Sequence, residues 1–505
     1  VKTDAGKIRG FLLDGTYTFH GIKYADAKRF QPPSPVQPWE GVKDATSYGF
    51  VAPLLAQEKP MGELLIPHRY WPQSEHCQYL NVWTRSLDPG ARKPVMFWIH
   101  GGGFSTGSSL EMVAYDGAAL STYGDVVVVS VNHRLNILGY LDMSAYGDRY
   151  RNSGNAGMED IVAALRWVRE NIAAFGGDPG NVTIFGQSGG GMKVTTLCQT
   201  PAAAGLFHKG IVMSGVAEGH MGGPRDDRVI VDGLLGELGL TAGEAEKLET
   251  VPFSKLSEAY RRLEKKLRAR GIVTMWGPLP NDWYLGDPMD IGFTENAKHV
   301  PLMVGSVIAE FGFGPGIPNK HKLSREERRN ILQSRFGTYT DALIGLFGKA
   351  YPGKNELDLL QLDIMFRQPT LAYTSKKAES GGAPVYSYLF ALEFDYDDGK
   401  PAWHCSDIPF VFHNTDKVPV CTIPDVTERM EEQVCFAYVS FARHGNPNHP
   451  QLRDWPAYTP DNRATMVFDR NCEIRVGFEA ELLDLLKQAT PPFDFNKLIP
   501  PDEED

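Results

Sequence analysis

The sequence predicts an α/β fold built on a largely parallel sheet, and three observations carry that prediction. Short apolar runs rich in β-branched residues recur along the chain, helical periodicity fills the intervals, and the runs are continuously apolar instead of alternating. Continuous runs mark strands buried on both faces, as in a parallel sheet covered by helices. In chain order the runs are 95–99, 126–131, 182–185, 211–213, 302–304 and 385–390. Between the second and third, Ile161, Leu165, Val168 and Ile172 fall at i, i+4, i+7 and i+11, one face of an amphipathic helix. Gly176, Gly177 and Pro179 end it. Strand, helix, strand in this order is a βαβ unit. Two stretches interrupt the pattern, 219–300 and 315–380, both helical in character. The first carries Leu256, Tyr260, Leu263 and Leu267 beside a charge run at 261–266, which reads as a solvated helix face. With no internal repeat, the expectation is one sheet unit over 1–505 with two helical insertions.

Composition narrows the function classes. Of the 505 residues 42% are hydrophobic, with 26 Phe, 20 Tyr and 9 Trp, so a sizeable core is available and disorder or coiled coil is excluded. The net charge is -11, from 51 basic and 62 acidic residues, with no densely basic stretch. Phosphate binding needs clustered Lys and Arg, so nucleic acid is not an expected partner. The run at 126–129 is strand-length, far short of the roughly 18 residues that span a bilayer, so no membrane span is expected. The six cysteines form no CxxC pair, and His404, Cys405, His413 and Cys421 are too irregularly spaced for zinc. No metal or cofactor is expected. The chain starts at Val1 and shows no signal-peptide pattern.

The sharpest chemical signal is Gly186-Gln187-Ser188-Gly189-Gly190, a GxSxG directly after the apolar run at 182–185. In the strand–turn–helix setting this motif requires, the turn is so sharp that side chains flanking the serine would collide. The serine sits strained, its hydroxyl exposed. A hydroxyl is a poor nucleophile near neutral pH without a base and a group to orient that base. It also needs donors for an oxyanion. The run at 95–99 leads into His100-Gly101-Gly102-Gly103-Phe104, whose bare backbone amides can approach a carbonyl oxygen. With the N–H of Gly189, those of Gly102 and Gly103 make a three-donor hole. A dinucleotide loop is the rival reading, and it fails because Thr106 stands where GxGxxG needs its third glycine.

These motifs resemble the type B carboxylesterase family, which includes the cholinesterases and has the α/β-hydrolase fold. The segment from Phe175 to Gly190 resembles its nucleophile signature, and Ser74 to Trp83 its second signature. Further matches run from Phe19-His20-Gly21-Ile22 through Asn132-His133-Arg134-Leu135 to Phe441-Ala442-Arg443-His444-Gly445, so the likeness spans nearly the whole chain. It implies a serine ester hydrolase needing no cofactor and acting on a small-molecule ester through an acyl-enzyme. Among thirteen histidines it selects His404 as base, since residues 404–412 resemble the family's histidine loop. It selects Glu310, just past the run at 302–304, as the orienting acid. Ser214 matches a family serine near the triad, while Phe104 and Cys405 adjoin the hole and the base.

Some positions depart from the family pattern. Gln187 replaces the usual Glu, which removes a negative charge and argues against choline-like cations. Gly189 replaces Ala, which keeps the N–H and is expected to loosen the elbow. Cys405 replaces a Gly beside the histidine. In extracellular relatives the cysteine matching Cys77 pairs with one upstream; none precedes Cys77 here, which favours a reducing compartment and a cytoplasmic location. The triple glycine implies tolerance of bulky esters, including those of tertiary alcohols. Two alternatives stay open, the same triad used for amide, carbamate or lactone cleavage or acyl transfer, and a non-catalytic binding protein on this fold. Oligomeric state and the natural ester are not legible.

Overall fold

The apolar runs become strands because both of their faces are covered. A computed structural model describes residues 1–56, 62–217, 225–272, 274–452 and 454–491. Its large sheet contains β1 (Phe11–Leu13), β2 (Thr16–Lys23), β3 (Tyr79–Thr84), β4 (Lys93–Ile99), β5 (Val127–Val131), β6 (Gly177–Gln187), β7 (Lys209–Met213), β8 (Leu302–Val307), β9 (Val385–Phe390), β10 (Ala464–Phe468) and β11 (Glu473–Val476). The spatial order is β11-β10-β9-β8-β7-β6-β4-β5-β3-β2-β1. Pairing is parallel from β10 to β5 and antiparallel at both flanks.

The central strands explain the continuous apolar runs. Along β4, Val95, Phe97 and Ile99 join one buried cluster while Met96 and Trp98 join the other. Side chains alternate across a strand, so a core on each side demands an apolar residue at every position. The helix expected between the second and third runs is α1 (Ala156–Asn171), with Ile161, Leu165 and Val168 fully buried on the first cluster. It ends one residue before Ile172, and Gly176 takes a left-handed φ of 74° in the turn into β6. Helix α2 (Gly189–Cys198) follows β6 directly.

The two helical stretches lie between strands β7 and β8 and between β8 and β9. Of the first, residues up to 224 lie outside the described residues; beyond them are α3 (Asp227–Glu237) and α4 (Phe253–Ala269). Leu256, Tyr260, Leu263 and Leu267 are the buried face of α4, and its charged residues pair outward, Arg262 with Glu237 and Glu258 among them. The second stretch holds α5 (Arg325–Phe336), α6 (Thr340–Ala350) and α7 (Arg367–Glu379). Among the described residues no helix is long and apolar enough to cross a membrane.

Candidate active site

Four adjacent parallel strands, β4, β6, β7 and β8, deliver the residues the sequence singled out. The Gly101–Gly103 loop follows β4, Ser188 follows β6, Ser214 follows β7 and Glu310 lies three residues past β8. Functional groups collect at the carboxyl ends of such strands because the loops there converge.

The turn at Ser188 is as tight as its glycines suggest. Ser188 adopts φ 58°, ψ -127°, a conformation that costs an L-residue energy and that the surroundings must enforce. Its N–H donates to the Met213 carbonyl at 2.8 Å, and its carbonyl accepts from Met192 at 3.0 Å, which starts α2. A Cβ on Gly186 would lie 2.5 Å from the Gly190 carbonyl carbon, and one on Gly190 only 2.0 Å from the Ile99 oxygen. Ser188 is half-buried, and among the described residues its hydroxyl makes no hydrogen bond.

His404 and Glu310, far apart in sequence, meet directly. His404 Nδ1 and Glu310 Oε2 are 2.5 Å apart. The other carboxylate oxygen accepts the Val307 N–H at 3.0 Å, and the His404 N–H donates to the Glu310 carbonyl at 2.8 Å. Both backbone and side chain thus tie the two residues together. With Nδ1–H held by the carboxylate, Nε2 is left as the basic nitrogen. Phe311 stacks on the His404 ring at 5.5 Å between centroids, and Phe366 approaches it at the same distance. Two more acids surround Glu310. Burial, and then the charge of Glu310, pushes the Asp363 and Asp407 carboxyls up to about 7. Asp363 accepts N–H groups from Met365, Phe366 and Arg367 at 2.6–3.0 Å; Tyr388 reaches Asp407 at 3.5 Å.

Gln187 links the two halves. Its amide nitrogen lies 3.3 Å from His404 Nδ1 and 3.2 Å from Nε2, an equidistance that puts it over the ring instead of along either lone pair. Its oxygen accepts from the Cys405 thiol at 3.2 Å, and Cys405 takes a left-handed φ of 76°. A neutral amide at this position leaves the imidazole without a second carboxylate beside it.

Gly102 and Gly103 both have positive φ, 78° and 59°. Gly103 lies against the elbow, since a Cβ on Gly189 would come within 2.1 Å of the Gly103 oxygen. The expectation of a looser elbow is therefore corrected, because Gly189 is where two backbones touch and only glycine fits. Phe104 is buried and, with Met192, Gly215 and Val216, lines a cavity of about 550 Å³. Ser214 is fully buried at φ 46°, and its hydroxyl finds no partner among the described residues.

Sequence reading missed Asp363, Asp407, Phe311, Phe366 and Lys193. The lysine had a visible signal, a lone cation in the run Gly-Gly-Gly-Met-Lys-Val on the buried elbow helix. It is fully buried, and burial pulls its ammonium down to about 7.

Comparison with known proteins identifies the family. The model of the carboxylesterase family matches residues 1–485. A para-nitrobenzyl esterase of Bacillus subtilis (strain 168) is 34% identical over 495 residues, covering 95% of this chain and 97% of its own. Carboxylesterase 3B of Mus musculus is also 34% identical, covering 94% and 87%. Among solved structures, an esterase from anaerobic Clostridium hathewayi, described as able to hydrolyse aliphatic aromatic polyesters, superposes with a TM-score of 0.95 at 55% identity, covering 97% of this chain and 98% of that one. The chain belongs to the carboxylesterase family, with the α/β-hydrolase fold, and is a serine ester hydrolase acting on small-molecule esters.

Proposed function

We propose that Ser188 is the nucleophile, His404 its general base and Glu310 the acid that orients and stabilises the imidazolium, with Gly102, Gly103 and Gly189 donating to the oxyanion. The observation that carries this reading is the Glu310–His404 contact at 2.5 Å beside a serine held in a strained elbow. As Ser188 Oγ bonds to the ester carbonyl carbon, its proton passes to His404 Nε2 and the carbonyl oxygen becomes the oxyanion. Collapse breaks the bond to the leaving alkoxide, which takes the proton from His404 and departs as the alcohol. Water then attacks the acyl-enzyme by the same route, releasing the acid and restoring Ser188. The Ser188–His404 hydrogen bond is the one contact that must close on substrate engagement, as such bonds often do.

The whole chain serves as one catalytic unit, the helical segments around 219–300 and 315–380 shaping the approach to the sheet. Substrate choice follows from the neighbour active on aliphatic aromatic polyesters and from the cavity beside Phe104: bulky esters, and oligomeric aliphatic–aromatic esters among them. Six free cysteines, five of them buried, support a reducing compartment such as the cytoplasm. The test is hydrolysis of p-nitrophenyl acetate and butyrate by wild type and Ser188→Ala, with intact mass after organophosphate treatment. Turnover lost in the variant, by about 10⁴-fold or more, and one adduct on Ser188 support the assignment. Residual turnover near wild type overturns it. Pairing an ester with its matching amide separates ester from amide cleavage.

A further inference from the structure

The elbow helix carries a buried cation that the reaction as described does not use. Lys193 lies four residues past Gly189, so both project from the same face of α2. Its ammonium donates to the Gly103 carbonyl at 2.7 Å and to the His100 carbonyl at 3.2 Å, and it sits 5.2 Å from the centre of the Phe104 ring. Those two carbonyls bracket the N–H groups of Gly102 and Gly103. The same loop touches Gly189 backbone to backbone, with the Gly103 α-carbon 2.4 Å from where a Gly189 Cβ would stand. A triple-glycine loop has little stiffness of its own, since each glycine has more conformational freedom to lose than any other residue. The Ser105 and Thr106 N–H groups hold the Gly102 carbonyl at 3.2 and 3.0 Å, and fixing the carbonyl at each end removes a further part of that freedom.

We propose that Lys193 is a positioning residue that clamps the His100–Phe104 loop onto the nucleophile helix and holds the Gly102 and Gly103 amides where the oxyanion forms. This rests on the oxyanion hole proposed above. Burial is the main force on the lysine's protonation, with Glu111 pulling the other way, and the amine can donate to the carbonyls whether charged or neutral. Burying a lysine is costly, and an apolar side chain of this length would fill the space without that cost. The two carbonyl contacts are what the lysine supplies in return.

The test compares wild type with Lys193→Met, near in shape but with no donor. It reads kcat and KM for p-nitrophenyl butyrate, the melting midpoint, and inhibition by a trifluoromethyl ketone, whose tetrahedral adduct needs the hole. Expected are a kcat lower by about 10- to 100-fold, KM within twofold, and an inhibition constant raised by a similar factor while the fold persists. A folded variant with unchanged kcat, or with lower kcat but undiminished ketone binding, overturns the clamp and leaves a merely structural lysine. If the methionine variant does not fold, Lys193→Gln, which keeps a donor on a shorter side chain, is expected to lose about two- to tenfold in both readouts; wild-type values in both count against the proposal. The underlying hole fails separately. In that case wild type binds the trifluoromethyl ketone no tighter than the parent methyl ketone, whatever stands at position 193.

Discussion

Two buried charge clusters, both close to fully enclosed, are balanced in opposite ways. Under α1, Arg134 meets Asp160 through Nη2 at 2.7 Å and Nε at 2.9 Å, and its remaining N–H groups reach the carbonyls of Lys28, Gln31 and Ala156. Asp160 also accepts the Arg134 backbone N–H at 3.0 Å. Each charge has an opposite and each donor an acceptor. Around Glu310 the arrangement is different, because three carboxyl groups (Glu310, Asp363 and Asp407) share a site whose one basic side-chain partner in contact, among the described residues, is a histidine. The first cluster ties β5's exit to α1. The second gathers carboxyls around the imidazole proposed as the base, and burial with the charge of Glu310 pushes two of them toward the neutral form. An imbalance of this kind costs stability, and active sites are where such costs are commonly retained.

Breaking the balanced cluster has the largest expected effect. Asp160→Asn keeps the shape but leaves the Arg134 guanidinium buried without a counter-charge, a change that costs about 3–5 kcal/mol. Thermal or urea unfolding reads it directly. A midpoint equal to wild type would show that the carbonyls of Lys28, Gln31 and Ala156 alone satisfy Arg134, and the contrast between the clusters would lose its first half.

How far the sequence reveals these features depends on what each one needs. The buried parallel strands were legible because a core on both faces leaves a local mark, and β9 coincides with the apolar run at 385–390. The flanking strands left a weaker mark. In β2, polar and half-exposed positions interrupt the apolar ones (Thr16, Tyr17, Thr18, His20), since antiparallel strands at the flank of the sheet are covered less evenly. Ser188 and the glycines were readable from collisions at adjacent positions. His404 and Glu310 came only through family resemblance, because nothing local marks a histidine as facing an acid from another loop. Asp407 lay within the recognised histidine loop, yet its nearness to Glu310 is a tertiary fact. Gly189 was misread for the same reason: its tightness comes from Gly103, which belongs to the loop after another strand.

The acid cluster is sharpened by Asp407→Asn. The wild-type carboxyl is held up to about 7 against an ordinary value of 3.8, so the native state keeps its proton where the unfolded chain has released it. Stability from this group is therefore greatest below about pH 4 and falls as pH rises toward 7. An asparagine cannot ionise. The variant should match wild type near pH 4 and gain on it up to pH 7, by at most about 1.4 kcal/mol per pH unit. Parallel melting curves from pH 4 to 8 check this, and a constant offset between the two proteins would mean that the Asp407 carboxyl ionises in the folded state as it does in the unfolded chain and is not held up.

The smallest expected effect tests the neutral face of the site. Gln187 places an amide nitrogen 3.2–3.3 Å from both imidazole nitrogens of His404, at a position where a carboxylate would favour the protonated ring. With His404 as the proposed base, a protonated imidazole cannot take the Ser188 proton, so kcat/KM is expected to fall on the acid side as the ring protonates. Gln187→Glu adds a negative charge against that ring, so the acid limb should move to higher pH, by roughly one pH unit. Activity at pH 6 drops more than activity at pH 8, and the plateau changes least. The alkaline side offers an internal control, because a general loss of structure would lower both limbs together. A limb that stays in place would mean the new carboxyl is itself protonated, as Asp363 and Asp407 partly are near neutrality, and that a third acid beside Glu310 cannot hold its charge. Either result measures how much negative charge this pocket will bear, and so why an amide serves beside the base.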